Sequence, residues 1–268
     1  MCMKRYSSIS KAQDLIDYYT NFPTESAVRN ILNEEELEKK HILFVGDSFI
    51  FGDNLKNNET ISHHFKTSLD KSEYSVFNLG CAGGSLDSSL LHLQQWCNSY
   101  SDKIHSVYFG ITSKARLQYW IDESHHFNYI PGKENIPNPK NTVGDEIFLA
   151  KSLNKLVAIQ EFQTIVKLNH TIQHLKTLSQ LHNFNVMSFY TTDERVPDEE
   201  MNEIKKLEDE KFIIYDKENS WTYQTLPNKT HLRIDKYFLS KTNSHWSSIG
   251  NKYVVDNILC PKTENWYP

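Results

Sequence analysis

Five short apolar runs recur along this chain at 41–45, 74–79, 105–109, 185–190 and 212–215, and they constrain the fold more than any other feature. Most are rich in β-branched or aromatic residues, and each is short enough to be a strand. Near-continuous apolar runs suit strands covered on both faces, which is how parallel sheets are built. Helix-like segments separate them, at 60–69, 85–100 and 146–182, with a last one at 246–258. Leu86, Leu90, Leu91, Leu93 and Trp96 follow a helical period behind a Ser85 cap. Strands alternating with helices predict βαβ units with right-handed crossovers. The expected architecture is therefore α/β, a three-layer α/β/α sandwich around a five-stranded parallel sheet. In such sheets the functional site lies at the carboxyl ends of the strands.

The 268 residues suffice for one domain with a full core, and a single domain over 1–268 is expected. Residues 1–40 read as a helical lead-in. Residues 113–145 form an insertion after the third strand, punctuated by Pro131, Gly132, Pro137, Pro139 and Gly144. It carries Trp120, His125, His126, Phe127 and Tyr129, and a mostly irregular, lid-like segment is expected there. A net charge of -5 excludes a general phosphate-backbone binder, so no nucleic-acid partner is expected.

The cysteines Cys2, Cys81, Cys97 and Cys260 form no CxxC pair, which argues against a disulfide framework or a zinc site. The adjacent pairs His63-His64 and His125-His126 cannot face one ion from a helix. No P-loop, dinucleotide fingerprint or HExxH occurs, so neither metal nor cofactor is expected. The first twelve residues lack the apolar stretch of a signal peptide, and no run approaches a membrane span. A cytoplasmic or non-classically exported protein without membrane association is expected; the oligomeric state is not legible.

Three segments carry candidate chemistry. Val45-Gly46-Asp47-Ser48-Phe49-Ile50-Phe51-Gly52 follows the first strand directly. A serine at such a strand-to-helix turn lifts its hydroxyl above the sheet, where a nucleophile belongs. Asn78-Leu79-Gly80-Cys81-Ala82-Gly83-Gly84-Ser85 ends the second strand, and Gly80 could present its N–H to a developing oxyanion. Asn243-Ser244-His245-Trp246 precedes the final helix and places a histidine where the chain can fold back over the first strand. The serine segment lacks the second glycine of GxSxG, which argues against the other large serine-hydrolase class.

In this order the three segments resemble the conserved blocks of the SGNH (GDSL) hydrolase family, over about residues 41–258 without the insertion. The resemblance implies a flavodoxin-like sheet and a serine esterase acting on small acyl esters, acetyl foremost, on a small molecule or a glycan. It implies Ser48 as nucleophile, His245 as base and Gly80 as an oxyanion donor, with Asp47 and Trp246 at the substrate site. Thr112 stands where the family has an oxyanion asparagine, and Arg116 a few residues on would add positive charge. Asn243 and Thr242 stand where the family has the acid that orients the histidine. An Asn243 side-chain oxygen could still accept the ring N–H, or Asp235 could supply the charge. Two other functions fit the same residues. One is a non-catalytic SGNH-like binding module. The other is a polysaccharide O-acetyltransferase, whose last block the stretch from His245 to Gly250 also resembles.

Overall fold

The structure, a computed structural model, describes residues 34–69, 72–112, 117–120, 126–129, 160–191, 213–214, 223–225, 231–233, 237–239 and 245–263. A five-stranded parallel sheet forms its centre. Its strands are β1 (Lys40–Gly46), β2 (Tyr74–Gly80), β3 (Ile104–Ile111), β6 (Asn185–Tyr190) and β7 (Ile213–Ile214), in the order β2-β1-β3-β6-β7. The order turns back between β1 and β3, and such a switch point opens a crevice at the carboxyl ends of the strands.

Alternation along each strand sends side chains into two separate cores. Leu43 and Val45 of β1, Phe77 and Leu79 of β2, and Val107, Phe109 and Ile111 of β3 enter one core. Against them pack α4 (Leu86–Tyr100), through Leu86, Leu93 and Trp96, and α5 (Gln160–His182), through Leu168, Ile172 and Leu175. Ile42, Phe44, Val76, Tyr108, Met187 and Phe189 point the other way. They meet Ile61 and Phe65 of α3 (Ile61–Ser68), Val254 of α6 (Ser248–Val254) and Leu259 beyond it. Phe44 and Tyr108 stack across β1 and β3 with centroids 4.8 Å apart. Burial on both faces is what the unbroken apolar runs required, and the three-layer sandwich follows.

Local chemistry sets the helix starts. Thr60 caps α3 by accepting from the His63 N–H. Ser85 caps α4 and shares a reciprocal capping box with Ser88. Ser247 caps α6 by accepting from the Gly250 N–H. Trp246, expected as the first residue of the last helix, instead makes an antiparallel bridge to Phe238. The helix cannot begin before its cap, because Ser247 holds extended backbone. Past Val254 the coil widens to a π-helical stretch, Val255–Leu259, and closes in α7 (Cys260–Thr263).

Two short hairpins were not anticipated. β4 (Leu117–Trp120) pairs with β5 (His126–Tyr129) inside the segment expected to be irregular. β8 (Tyr223–Thr225) pairs with β9 (His231–Arg233). The rest of the expected lid and residues 146–159 of the long helix lie outside the described residues. So does the lead-in, apart from α1 (Glu34–Glu38) and the residues joining it to β1. Among the described residues, no helix is long and apolar enough to cross a membrane.

His41, at the start of β1, is fully buried. The Trp96 indole can only donate, and it donates to His41 Nδ1 at 3.1 Å. The ring proton therefore sits on Nε2 and is donated to the Leu37 carbonyl at 3.0 Å. Burial pushes this imidazole down to about 4 from its usual 6.5. Above pH 6.5 it costs nothing, since the ring is neutral folded and unfolded. Below that the unfolded chain takes a proton that the fold refuses, so stability falls as the pH drops toward 4. His41 should remove roughly 2–3 kcal/mol between pH 7.5 and 4.5. Urea unfolding at both pH values checks this: His41→Gln should flatten that part of the dependence, and an unchanged slope would contradict it.

Burial also pushes the Cys97 thiol up to about 12, which leaves it a core side chain and not a nucleophile.

Candidate active site

The segment after β1 turns at once into a four-residue helix, α2 (Ser48–Phe51). Asp47 caps it, with Oδ1 accepting from the Phe49 N–H at 3.1 Å. Gly52 ends it in the left-handed region at φ 74°, which frees the chain to leave the sheet. All four helical residues are buried. The helix sits so low because three strand ends lack side chains beneath it. A Cβ on Gly46 or Gly110 would meet Ile50 Cγ1 at 2.5 or 2.7 Å, and one on Gly80 would meet Phe51 N at 2.2 Å. Asn78 holds the same turn by donating to the Ile50 carbonyl at 2.7 Å and to Ser62 Oγ at 3.1 Å. Ser48 is thereby fixed at the end of a central strand with little freedom to shift.

His245 arrives from the far end of the chain. Its carbonyl accepts from the Leu239 N–H at 3.0 Å, and the Ser247 N–H donates to the Tyr237 carbonyl at 2.8 Å. This bridge and the start of α6 bracket the histidine on both sides. Gly250 lets α6 come close, since a Cβ there would meet the Tyr237 carbonyl oxygen at 2.3 Å. The His245 ring lies 5.1 Å from the Phe49 ring and a quarter exposed. Its Nε2 is 2.8 Å from Ser48 Oγ, across 197 positions of sequence. With the ring proton on Nδ1, Nε2 accepts the hydroxyl hydrogen of Ser48, the arrangement of a nucleophile and its base.

Other expected site residues have different work. Gly80 does not offer its N–H outward: it donates to Asn78 Oδ1 at 2.9 Å. Gly80 serves instead as the space beneath α2. Thr112 is fully buried, and its hydroxyl donates to Asp47 Oδ2 at 2.6 Å. A hydroxyl has one hydrogen, so Thr112 is not a free oxyanion donor here. Asp47 is itself fully buried and braces α2 between Phe49 and Thr112, away from any substrate surface. Trp246 is 2% exposed and packs edge-on against Phe49 at 5.0 Å, so it is a wall of the core and not a substrate contact. Asn243, Thr242, Arg116 and Asp235 lie outside the described residues.

These corrections predict that Thr112→Val lowers stability. It would strip a hydrogen bond from a buried carboxylate, at a cost of about 2–3 kcal/mol. For a chain of this size that is roughly 5–10 °C in Tm. Thr112→Ser should restore most of it. Calorimetry decides, because a pure oxyanion donor would leave Tm in place.

Two features escaped sequence reasoning. Asp53, just past Gly52, brings Oδ2 to 4.0 Å from His245 Nε2. In the second segment, the N–H groups of Ala82 and Gly83 take no partner among the described residues, and neither does that of Ser48. Gly83 holds a positive φ of 72° in the turn that the Cys81 N–H ties to the Gly46 carbonyl at 2.9 Å. Another glycine in a glycine-rich turn was a visible signal, but its neighbour Gly80 was indistinguishable from it. Among the described residues, no group of three or more His, Cys, Asp or Glu side chains could hold a metal ion.

No family model matches the chain, and no curated protein matches it. Among solved structures the chain is similar to one from Desulfitobacterium hafniense DCB-2, described as a lipolytic protein of the G-D-S-L family. The identity is 12% and the TM-score 0.41, over 81% of this chain and 98% of that one. It is also similar to the lipase/acylhydrolase from Enterococcus faecalis, at 14% identity and a TM-score of 0.41, over 85% of this chain and 95% of that one.

Proposed function

We propose that this chain is a serine esterase of the SGNH (GDSL) type, with Ser48 as nucleophile and His245 as base. The 2.8 Å contact between Ser48 Oγ and His245 Nε2, on a braced turn at the end of β1, carries the reading. Ser48 Oγ attacks the ester carbonyl while its proton moves to Nε2. The carbonyl oxygen gathers negative charge in a tetrahedral intermediate. The N–H groups of Ser48, Ala82 and Gly83, Gly83 foremost, have no other partner among the described residues and would receive it. Collapse breaks the ester C–O bond, and Nε2–H gives its proton to the departing alkoxide. Alcohol leaves and an acyl-Ser48 ester remains. Water then gives a proton to Nε2 and attacks that ester, which releases the acid and returns the serine hydroxyl.

The substrate class proposed is a short acyl ester, acetyl foremost, carried by a small molecule or a glycan. A fluorophosphonate probe tests the chemistry directly. It should add one phosphonyl group to the intact chain, at Ser48, with labelling abolished by Ser48→Ala and strongly slowed by His245→Ala. Absence of labelling in the folded protein would favour the binding-module alternative. A series of aryl esters of increasing acyl length then measures chain-length preference, with acetate expected to give the highest kcat/KM.

A further inference from the structure

We propose that Asp53 is a positioning residue for the esterase site: its carboxylate holds the His245 imidazole toward the charged form reached when Nε2 takes the serine proton. The proposal rests on the esterase reading above. The geometry behind it is a carboxylate oxygen 4.0 Å from the same ring nitrogen that touches Ser48 Oγ at 2.8 Å. At 4.0 Å the carboxylate lies beyond hydrogen-bond length, so it does not draw Nε2 away from the nucleophile. It is still close enough to favour a positive ring. Its place is fixed by the nucleophile's own turn, since the Asp53 N–H and the Gly52 N–H both donate to the Ser48 carbonyl at 3.0 Å. The backbones of Asp53 and Ser48 are therefore tied within one turn.

The described charged and titratable groups nearby have partners of their own. Among the described residues, Asp47 lies beneath α2 with its carboxylate engaged by Phe49 and Thr112. On the α3 and α6 side, His64 bonds Ser248 Oγ at 3.0 Å, and Lys252 pairs with Asp256 at 2.8 Å. Asp53 brings Oδ2 to 4.0 Å from His245 Nε2. In the sequence, Asn243 and Thr242 ahead of the histidine carry no charge. Asp53 exchanges no proton itself. The proton shuttles between Ser48 Oγ, Nε2 and the leaving oxygen, and the carboxylate steadies the ring while it is charged.

Both side chains are partly exposed, 24% for His245 and 39% for Asp53, so a water-like screening is appropriate. At this separation that amounts to about a fivefold preference for the charged ring, or about 0.7 pH unit. The experiment compares wild type, Asp53→Asn, Asp53→Glu and Ser48→Ala on p-nitrophenyl acetate from pH 5 to 9, at low and high salt. The expected result is a kcat/KM lowered about fivefold in Asp53→Asn, carried by kcat with KM little changed. Its acidic limb should move down by about 0.7 unit, and Asp53→Glu should bring the limb back. High salt should narrow the gap between wild type and Asp53→Asn. A second measurement needs no turnover: the His245 ring is titrated by NMR in Ser48→Ala with and without Asp53→Asn, and the same downward displacement is expected. An Asp53→Asn profile that overlays wild type, with Ser48→Ala inactive, overturns the role of Asp53 and leaves the esterase standing. Ser48→Ala as fast as wild type removes the esterase reading and this proposal with it.

Discussion

Ser48→Ala should leave less than about one thousandth of the wild-type kcat on an aryl acetate, with the fold intact. In the proposed mechanism Ser48 Oγ forms the acyl-enzyme, and its removal would leave only binding and oxyanion stabilisation to assist water. His245→Ala should fall by a comparable factor. The two losses should not add in the double variant, because the side chains act as one unit across a 2.8 Å hydrogen bond. Ser48 is 4% exposed and replacement by Ala removes a single oxygen, so Tm should change little. Steady-state kinetics alongside calorimetry make the check. A Ser48→Ala protein that keeps its rate, or a double variant that multiplies the two losses, would end the dyad mechanism.

Gly80→Ala should be the most damaging glycine-to-alanine change among the described residues. The new Cβ would stand 2.2 Å from Phe51 N and 2.7 Å from the Ile50 carbonyl carbon. These are backbone atoms of α2, with no rotamer through which to escape, so β2 and the nucleophile turn must separate. Overpacking of this kind costs about 3 kcal/mol or more. It should also drag Ser48 off the His245 line, and a shift of about 1 Å costs on the order of a hundredfold in rate. Thermal unfolding and kcat should therefore fall together. If Gly80 were instead a donor of its N–H alone, alanine would preserve that group and neither quantity would change much. Unaltered Tm and kcat would show that the close approach is not what the glycine is for.

The strands were legible because each buries both faces, and burial leaves a periodic trace. Leu43 and Val45 go one way and Ile42 and Phe44 the other, so the run had to be apolar throughout. The starts of α3 and α4 were legible through Thr60 and Ser85, whose caps are local hydrogen bonds. The hairpin of β4 and β5 was not, since two four-residue strands in a segment full of Pro and Gly leave little pattern to read. Ser48 and His245 could be picked out by the turns they occupy. The role of Gly80 could not, because a glycine that gives an N–H and a glycine that gives up space look alike in sequence.

Thr112 and Asp53 show the same division at the site. A hydroxyl after a strand can serve an oxyanion or brace a carboxylate, and only the 2.6 Å bond to Asp47 decided which. An aspartate after a short turn carries no mark of function until its carboxylate is found 4.0 Å from an imidazole that is 192 residues away in the chain. Periodicity, caps and turn chemistry are properties of neighbouring residues, so the sequence determined the strands, the main helices and the turn that presents the serine. Hydrogen-bond partners at the site depend on ångström distances between remote segments. Those distances exist only once the strand order seats α2 in its glycine notch and brings the last helix over the first strand.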